Sequence, residues 1–346
     1  MLTKRTFLAG LLGLAALTGS RAVGQEPVER ILDATARVFP EVSTGVTALA
    51  VRSAPETKEY YVLRGREREV LVYDAAGQLI RRIALRLPEG SSDRAGPALL
   101  FGDDLAVEAD GRLWVADRNG NALRVFSPEG VLERSLAVPQ PTSLVLLPDG
   151  EVAYASMRSA KLITVLDRSG EPVREFGELA DVATSQALNR FLNIGRLASD
   201  AAHNLYFSFS YVPEPTVRKY DRFGFLQMEI ELATLDIQPA AAAARREIAR
   251  QDGRAGIEWW PSPNNPINKI ISAIGIDPYT QDVWLALGGL LMHFNAEGLR
   301  QGIYRTYTPE RVRLEAVAVL VETDRLLLAG ESGGVFEFPR PDKRRR

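Results

Sequence analysis

The 346-residue chain contains no cysteine. Disulfides, thiol nucleophiles and cysteine-ligated metals are therefore excluded together. Histidine is nearly as scarce, with two copies, His203 and His293. Chemistry that needs paired imidazoles would have to be built from these two alone. A Walker loop and a G-x-G-x-x-G turn are also missing, so the P-loop and dinucleotide signatures are absent. There is no excess of positive charge, since 42 Lys and Arg face 44 Asp and Glu. No nucleic-acid surface is expected from that balance.

One continuous apolar run is present, at the N-terminus. Lys4 and Arg5 precede "FLAGLLGLAALTG", and Ser20-Arg21-Ala22 offers small residues for cleavage. The run is shorter than the roughly 20 residues of a membrane span. Residues 1–22 therefore read as a signal peptide, which predicts a periplasmic or extracellular protein with no transmembrane span after cleavage. Residues 341–346 read as a solvated basic tail.

The rest of the chain repeats itself. An aromatic- or leucine-centred strand recurs as "EYYVL", "LWVAD", "VAYAS", "LYFSF", "VWLAL" and "LLLAG", spaced 39 to 78 residues apart. A further strand and turn follow it as "VLVYDAAG", "LRVFSPEG", "ITVLDRSG", "VRKYDRFG" and "LLMHFNAEG", closing on Gly77, Gly130, Gly170, Gly224 and Gly298. Glycine there suits a tight antiparallel turn that needs positive φ. Each unit opens with an apolar strand such as "DLAVEA" or "AIGIDP". Six such units, none able to bury its faces alone, predict an all-β, six-bladed β-propeller over residues 26–340. The sixth unit stops after "GVFEF" without a fourth strand. Residues 30–40, "RILDATARVFP", resemble the fourth strands of other units and are expected to complete it, closing the ring and hiding two edges.

Within residues 105–139, "DGRLWVADRNGNALRVFSPEGVLERSL" resembles the NHL repeat, and 142–178 and 196–232 follow the same pattern more loosely. The similarity extends to the wider TolB-like six-bladed propellers. It implies the fold, but that superfamily hosts interaction modules, lactonases and lyases alike, so it implies no single activity.

Propeller geometry sorts the connections by face. Fourth-to-first and second-to-third strand connections share one face, and the remaining turns share the other. Every long connection falls on the first face: 88–98, 179–194, 233–269 and 307–313, with Arg64 to Glu69 and Tyr211 to Pro215 between second and third strands. Long loops gathered on one side mark a working face. The largest, 233–269, lies between blades 4 and 5. Its "PAAAAARREIARQ" predicts a helix from Pro239 to near Gly253. Trp259 and Trp260 follow, placed either to anchor the insertion on the rim or to wall a ligand site.

Polar residues at the starts of first strands would stand at the channel mouth. Thr142, Asn193, Arg196, Lys269 and Arg313, with Trp259 and Trp260, form the candidate ligand- or partner-binding set. "GDDLAV" resembles the segment with which gluconolactonase-type propellers hold a divalent cation. That makes Asp103 and Asp104 candidate calcium ligands, against a reading as solvated or turn-capping carboxylates; the second Asn of such a site is missing from "PTSLVL". No other cofactor is expected. His293 reads as a packed strand residue, His203 as a turn residue on the opposite face, and Asp117 as a turn cap. These residues lead to an exported, monomeric binding or scaffold module that recognises a protein or small ligand at the loop-rich face. The alternative is a lactonase-like hydrolase or lyase at the channel mouth, assisted by a metal at Asp103 and Asp104.

Overall fold

The computed structural model describes residues 29–54, 57–91, 96–232, 234–252 and 267–343. Six sheets are arranged around a central channel. Blade 1 comprises Val46–Ala54, Thr57–Arg64, Glu69–Tyr73 and Leu79–Ala84, and blade 2 Gly102–Val107, Leu113–Asp117, Ala122–Phe126 and Leu132–Ala137. Blade 3 holds Pro141–Leu146, Val152–Ser156, Ile163–Leu166 and Pro172–Phe176. Blade 4 holds Gly195–Ser199, Leu205–Phe209, Thr216–Tyr220 and Leu226–Glu231. Blade 5 follows with Ala273–Ile276, Val283–Leu287, Leu290–Phe294 and Arg300–Tyr307, and blade 6 with Ala316–Val321, Arg325–Gly330 and Val335–Pro339. First strands line the channel.

Burial explains the strand sequences. Second strands such as Leu113–Asp117, Leu205–Phe209 and Val283–Leu287 are buried at every residue, because a blade covers them on each side, and they read as continuous apolar runs. The outer strand Leu132–Ala137 alternates between half-buried and exposed residues, as a strand with one solvated face must. Each adjacent pair of blades shares one buried apolar cluster; Trp114, Val125, Leu144 and Tyr154, for example, join blades 2 and 3. All five turn glycines named above have positive φ, from 77° to 95°. In four of those turns Asp74, Asp167, Asp221 or Asn295 accepts backbone N–H groups across the turn. Ser127 does the same in blade 2.

Ring closure differs from the sequence expectation in one respect. Residues 30–40 do not form one outer strand. Ala36–Val38 pairs antiparallel with Val335–Pro339 and completes blade 6, whereas Arg30–Asp33 pairs parallel with Arg300–Tyr307 as a fifth strand on blade 5. The chain changes blade at Ala34 and Thr35, whose N–H groups bond to Tyr307 O and Glu337 O, at 2.9 and 2.8 Å. Leu32 and Ala34 are buried between blades 5 and 6, and Phe39 and Val42 between blades 6 and 1. Parallel and antiparallel partners impose the same alternation on a strand, so the pattern could not separate them.

Polar groups lock the same seam. The Tyr60 hydroxyl of blade 1 donates to Glu322 Oε1 of blade 6 at 2.8 Å, and Arg325 Nε donates to Glu322 Oε2 at 2.6 Å. Lys58 pairs with the same carboxylate. Burial pushes the Glu322 carboxyl up, but hydrogen bonds from Lys58, Arg325 and Tyr60 outweigh it and hold it below its ordinary value. A depressed carboxylate stabilises the fold above its unfolded pKa, about 4.3, and that contribution disappears as pH falls through the folded value. Thermal melts from neutral to acid pH should therefore show Glu322→Gln less stable than wild type near pH 7, the two curves converging below about pH 4. Curves a constant distance apart at every pH would remove the seam carboxylate from this role.

Helix α1 spans Gln186–Leu192 and helix α2 Gln238–Asp252. The second agrees with the helix expected from Pro239 to near Gly253, and it lies between blades 4 and 5. It is not a detached lid. Ile237, Ala241 and Ala244 belong to the core shared by blades 4 and 5, and Ile248 packs with Leu188, Phe191 and Leu192 of α1. Asp252 then accepts from Thr184 N at 2.8 Å and Ser185 N at 2.7 Å, satisfying N–H groups at the start of α1. Ile248→Ala is expected to cost about 2–4 kcal/mol and to raise proteolysis within 182–192; unchanged cleavage there would show the two helices to be independent.

Candidate functional site

The two faces of the propeller are unequal. On the face carrying α1 and the second-to-third strand connections, a funnel of 1110 Å³ opens above the channel. All six blades contribute through loops or strand starts, from Arg66 of blade 1 to Glu331 of blade 6. Below it the channel, 310 Å³, runs between first strands lined by residues such as Leu49, Val107, Leu146 and Val319.

Local backbone irregularity shapes the mouth. In blades 1, 2, 3 and 6 the register between first and second strands shifts by one residue at the funnel end. The extra residues are Thr47, Asp103, Thr142 and Val317. A bulge leaves its residue unpaired in the ladder and re-aims it. Two of the carbonyls so released, Asp103 O and Thr142 O, accept from Arg196 Nη1 at 2.8 and 3.1 Å. Arg196 thus reaches from blade 4 to blades 2 and 3.

Asp103 and Asp104 serve different partners. Asp103 Oδ2 lies 2.9 Å from Arg118 Nε, yet neither atom makes an aligned hydrogen bond, although both are buried. Asp104 accepts from Ser143 Oγ, from Leu144 N at 3.2 Å and from Leu105 N at 2.9 Å. Burial pushes both carboxyls up; for Asp103, Arg118, Arg196 and Lys269 oppose it. Among the described residues no third acidic or histidine ligand joins them. The group of three possible donors found there is Asp282, His293 and Asp342, on the opposite face. Those side chains already have partners: His293 Nε2 lies 2.9 Å from Asp282 Oδ2, and both Asp342 oxygens accept from Arg340.

Lys269 stands in the funnel wall. It makes no hydrogen bond or ion pair with any described residue. Crowding by surrounding protein, then repulsion from Arg196, push its ammonium down to about 8, against the pull of Asp103. Arg118 lies over Phe101, 5.2 Å from the ring centroid, and Tyr211 completes that side of the wall. Glu315 and Glu331 line the blade 6 side.

The other expected residues fall elsewhere. Asn193 caps α1: its side chain accepts from Ala180 N at 2.7 Å and donates to Ala180 O and Asn189 O, which leaves it committed internally. The Thr142 side chain is buried, and its contribution to the mouth is its carbonyl. Arg313 is exposed and covers Gly289, where an added Cβ would lie 1.9 Å from its Nε. Trp259 and Trp260 lie outside the described residues. Arg118, Phe101, Tyr211 and Glu331 were not singled out by the sequence, although the face rule already assigned the loops of Arg118, Tyr211 and Glu331 to this side. His293 is packed against Trp284 at 4.0 Å, as expected, and His203 sits in its turn with φ 62°.

No family model matches this chain, and no curated protein matches it. Solved structures do share its fold. A member of the DUF4221 family from Bacteroides vulgatus aligns at TM-score 0.55 and 9% identity, over 91% of this chain and 97% of that one. Virginiamycin B lyase from Staphylococcus aureus aligns at 0.52 and 12%, over 88% and 98%. A streptogramin B lyase aligns at 0.51 and 10%, over 86% and 94%. At such identities the likeness is one of fold alone.

Proposed function

We propose that this protein is an exported, NHL-like propeller that binds a small ligand in the funnel on its loop-rich face. The observation that carries this reading is the funnel itself, one large concavity walled by all six blades. It holds Lys269, which has no ion-pair partner among the described residues, with Arg66, Arg118 and the rings of Phe101, Phe191 and Tyr211. Concave sites with a few convergent polar groups on an apolar wall are where proteins take small molecules. The opposite-face turns among the described residues are short, and several carry their own hydrogen-bonded caps.

Catalysis in the same funnel is favoured by one feature. Lys269 in the funnel wall and Asp103, which acts on it electrostatically at the base of that wall, both have pKa values displaced toward neutrality, a feature of proton-transfer sites. The two histidines of the chain lie away from it.

Ligand-observed NMR against a mixed set of sugars, amino acids, organic acids and aromatic compounds tests the site. Asn268→Trp places an indole at an exposed position of the funnel wall and should abolish the binding seen with wild type. Phe225→Ala, at an exposed position on the opposite face, should leave it unchanged. Binding that survives the first change and is lost with the second would move the site to the other face.

A further inference from the structure

We infer that the ligand enters the funnel through a single carboxylate, seated among Lys269, Arg118 and Arg196. The inference rests on the funnel being the binding site and adds the chemistry of what it recognises.

Three observations converge on it. Lys269 has neither a hydrogen bond nor an ion pair among the described residues, while its neighbours include two further cations, Arg196 and Arg118. Arg118 and Arg196 face Asp103 and Asp104 at 2.9 and 3.9 Å, which leaves Lys269 as the cation of the three without an anion among the described residues. Arg118 Nε and Asp103 Oδ2 are buried and adjacent at 2.9 Å, but misaligned. Such a pair leaves hydrogen-bonding capacity for a third group, since a buried polar atom without a partner costs free energy. Arg196 lines the channel below the funnel. Its Nη1 donates to two carbonyls and lies 3.9 Å from Asp104 Oδ2, so its guanidinium is oriented in advance, and its other nitrogens have no hydrogen bond among the described residues. Planar guanidinium groups match a carboxylate in a forked geometry.

The acidic residues set the charge limit. Asp103 lies beside the cations, and Glu315 and Glu331 line the same cavity. A polyphosphate or polyanion would meet their repulsion, whereas one negative charge is matched by the unpaired lysine. Phe101 and Tyr211 supply apolar surface for the body of the molecule.

Affinity should depend on pH with a defined sign. The groups that act on Lys269 are Arg196, Asp103, Arg118 and Glu331, with Tyr211 close to Asp103 and the two arginines and Glu315 farther along the wall. The lysine binds an anion when protonated. Affinity is therefore full between the ligand carboxyl's own pKa, roughly 4, and about 8, and falls as pH rises through the upper value.

Calorimetry on the whole mature chain tests this, with a panel of aliphatic and aryl monocarboxylates and their neutral methyl esters. Acids should bind about tenfold or more tightly than their esters. Lys269→Gln should weaken the acids by about tenfold and leave the esters unchanged, and Lys269→Arg should restore the acids while removing the pH dependence. Acids and esters binding alike, with Lys269→Gln altering neither and Asn268→Trp abolishing both, would overturn the carboxylate inference and keep the funnel. Failure of every member of both sets to bind would overturn the two together.

Discussion

Deleting residues 29–43 should produce a chain that aggregates, or melts at least roughly 10 °C below the intact protein. The deletion strips the outer strand from blade 6 and the fifth strand from blade 5, exposing two edges able to pair with other chains. It also empties the sites of Leu32, Phe39 and Val42, all buried, each contributing about 1.5–3 kcal/mol. Phe39 stacks on Tyr73 of blade 1, with ring centroids 4.2 Å apart, so three blades lose contact with one segment. Gly333 has φ 106°, and a Cβ there would lie 1.5 Å from Ser43 O; the blade 6 loop is therefore fitted against this segment. A shorter deletion of 29–34 leaves blade 6 complete and should cost distinctly less. Equal losses from the two deletions would mean that blade 6 closure is not what the segment provides.

Asp117→Ala should damage fold and funnel together. The Asp117 side chain is wholly buried. It accepts from Leu100 N at 3.1 Å, Phe101 N at 3.0 Å, Gly120 N at 2.9 Å and Arg124 Nε at 3.3 Å. Alanine would leave those donors without their acceptor, a loss of about 2–4 kcal/mol. The same carboxylate ties together the segment ending in Phe101 and the turn carrying Arg118, two parts of one funnel wall. Carboxylate binding should accordingly fall with stability, and remain weak at temperatures where the variant is still folded. Asp117→Asn keeps one acceptor oxygen and should lie between alanine and wild type. Full binding by folded Asp117→Ala would show that the wall is positioned by something else.

The blade count was legible because five of the six repeats state their own turns: an aspartate, asparagine or serine three residues before a positive-φ glycine marks the end of a third strand. The face that carries the funnel was legible from loop length alone, and α2 from its alanine run. What escaped was non-local. Nothing in "RILDATARVFP" distinguishes pairing with blade 5 from pairing with blade 6, since register on distant strands leaves no local mark. Helix α1 did leave one: Ser185 caps it, and Leu188, Phe191 and Leu192 share a buried face, a spacing of three and four residues. Missing α1 made Asn193 look like a mouth residue, whereas it terminates that helix. Arg118 was overlooked beside Asp117 because the turn-capping role of the aspartate explained the motif without its neighbour.

The most direct measurement is amide hydrogen exchange on the whole chain, with and without the monocarboxylate that binds most tightly. The account predicts ligand-induced protection at Phe101 to Asp103, Arg118 to Asn121, around Tyr211 and at Ile267 to Lys269, with none in the opposite-face turns. Protection confined to those turns, for example at Asp110 to Arg112 or Arg222 to Phe225, would contradict it.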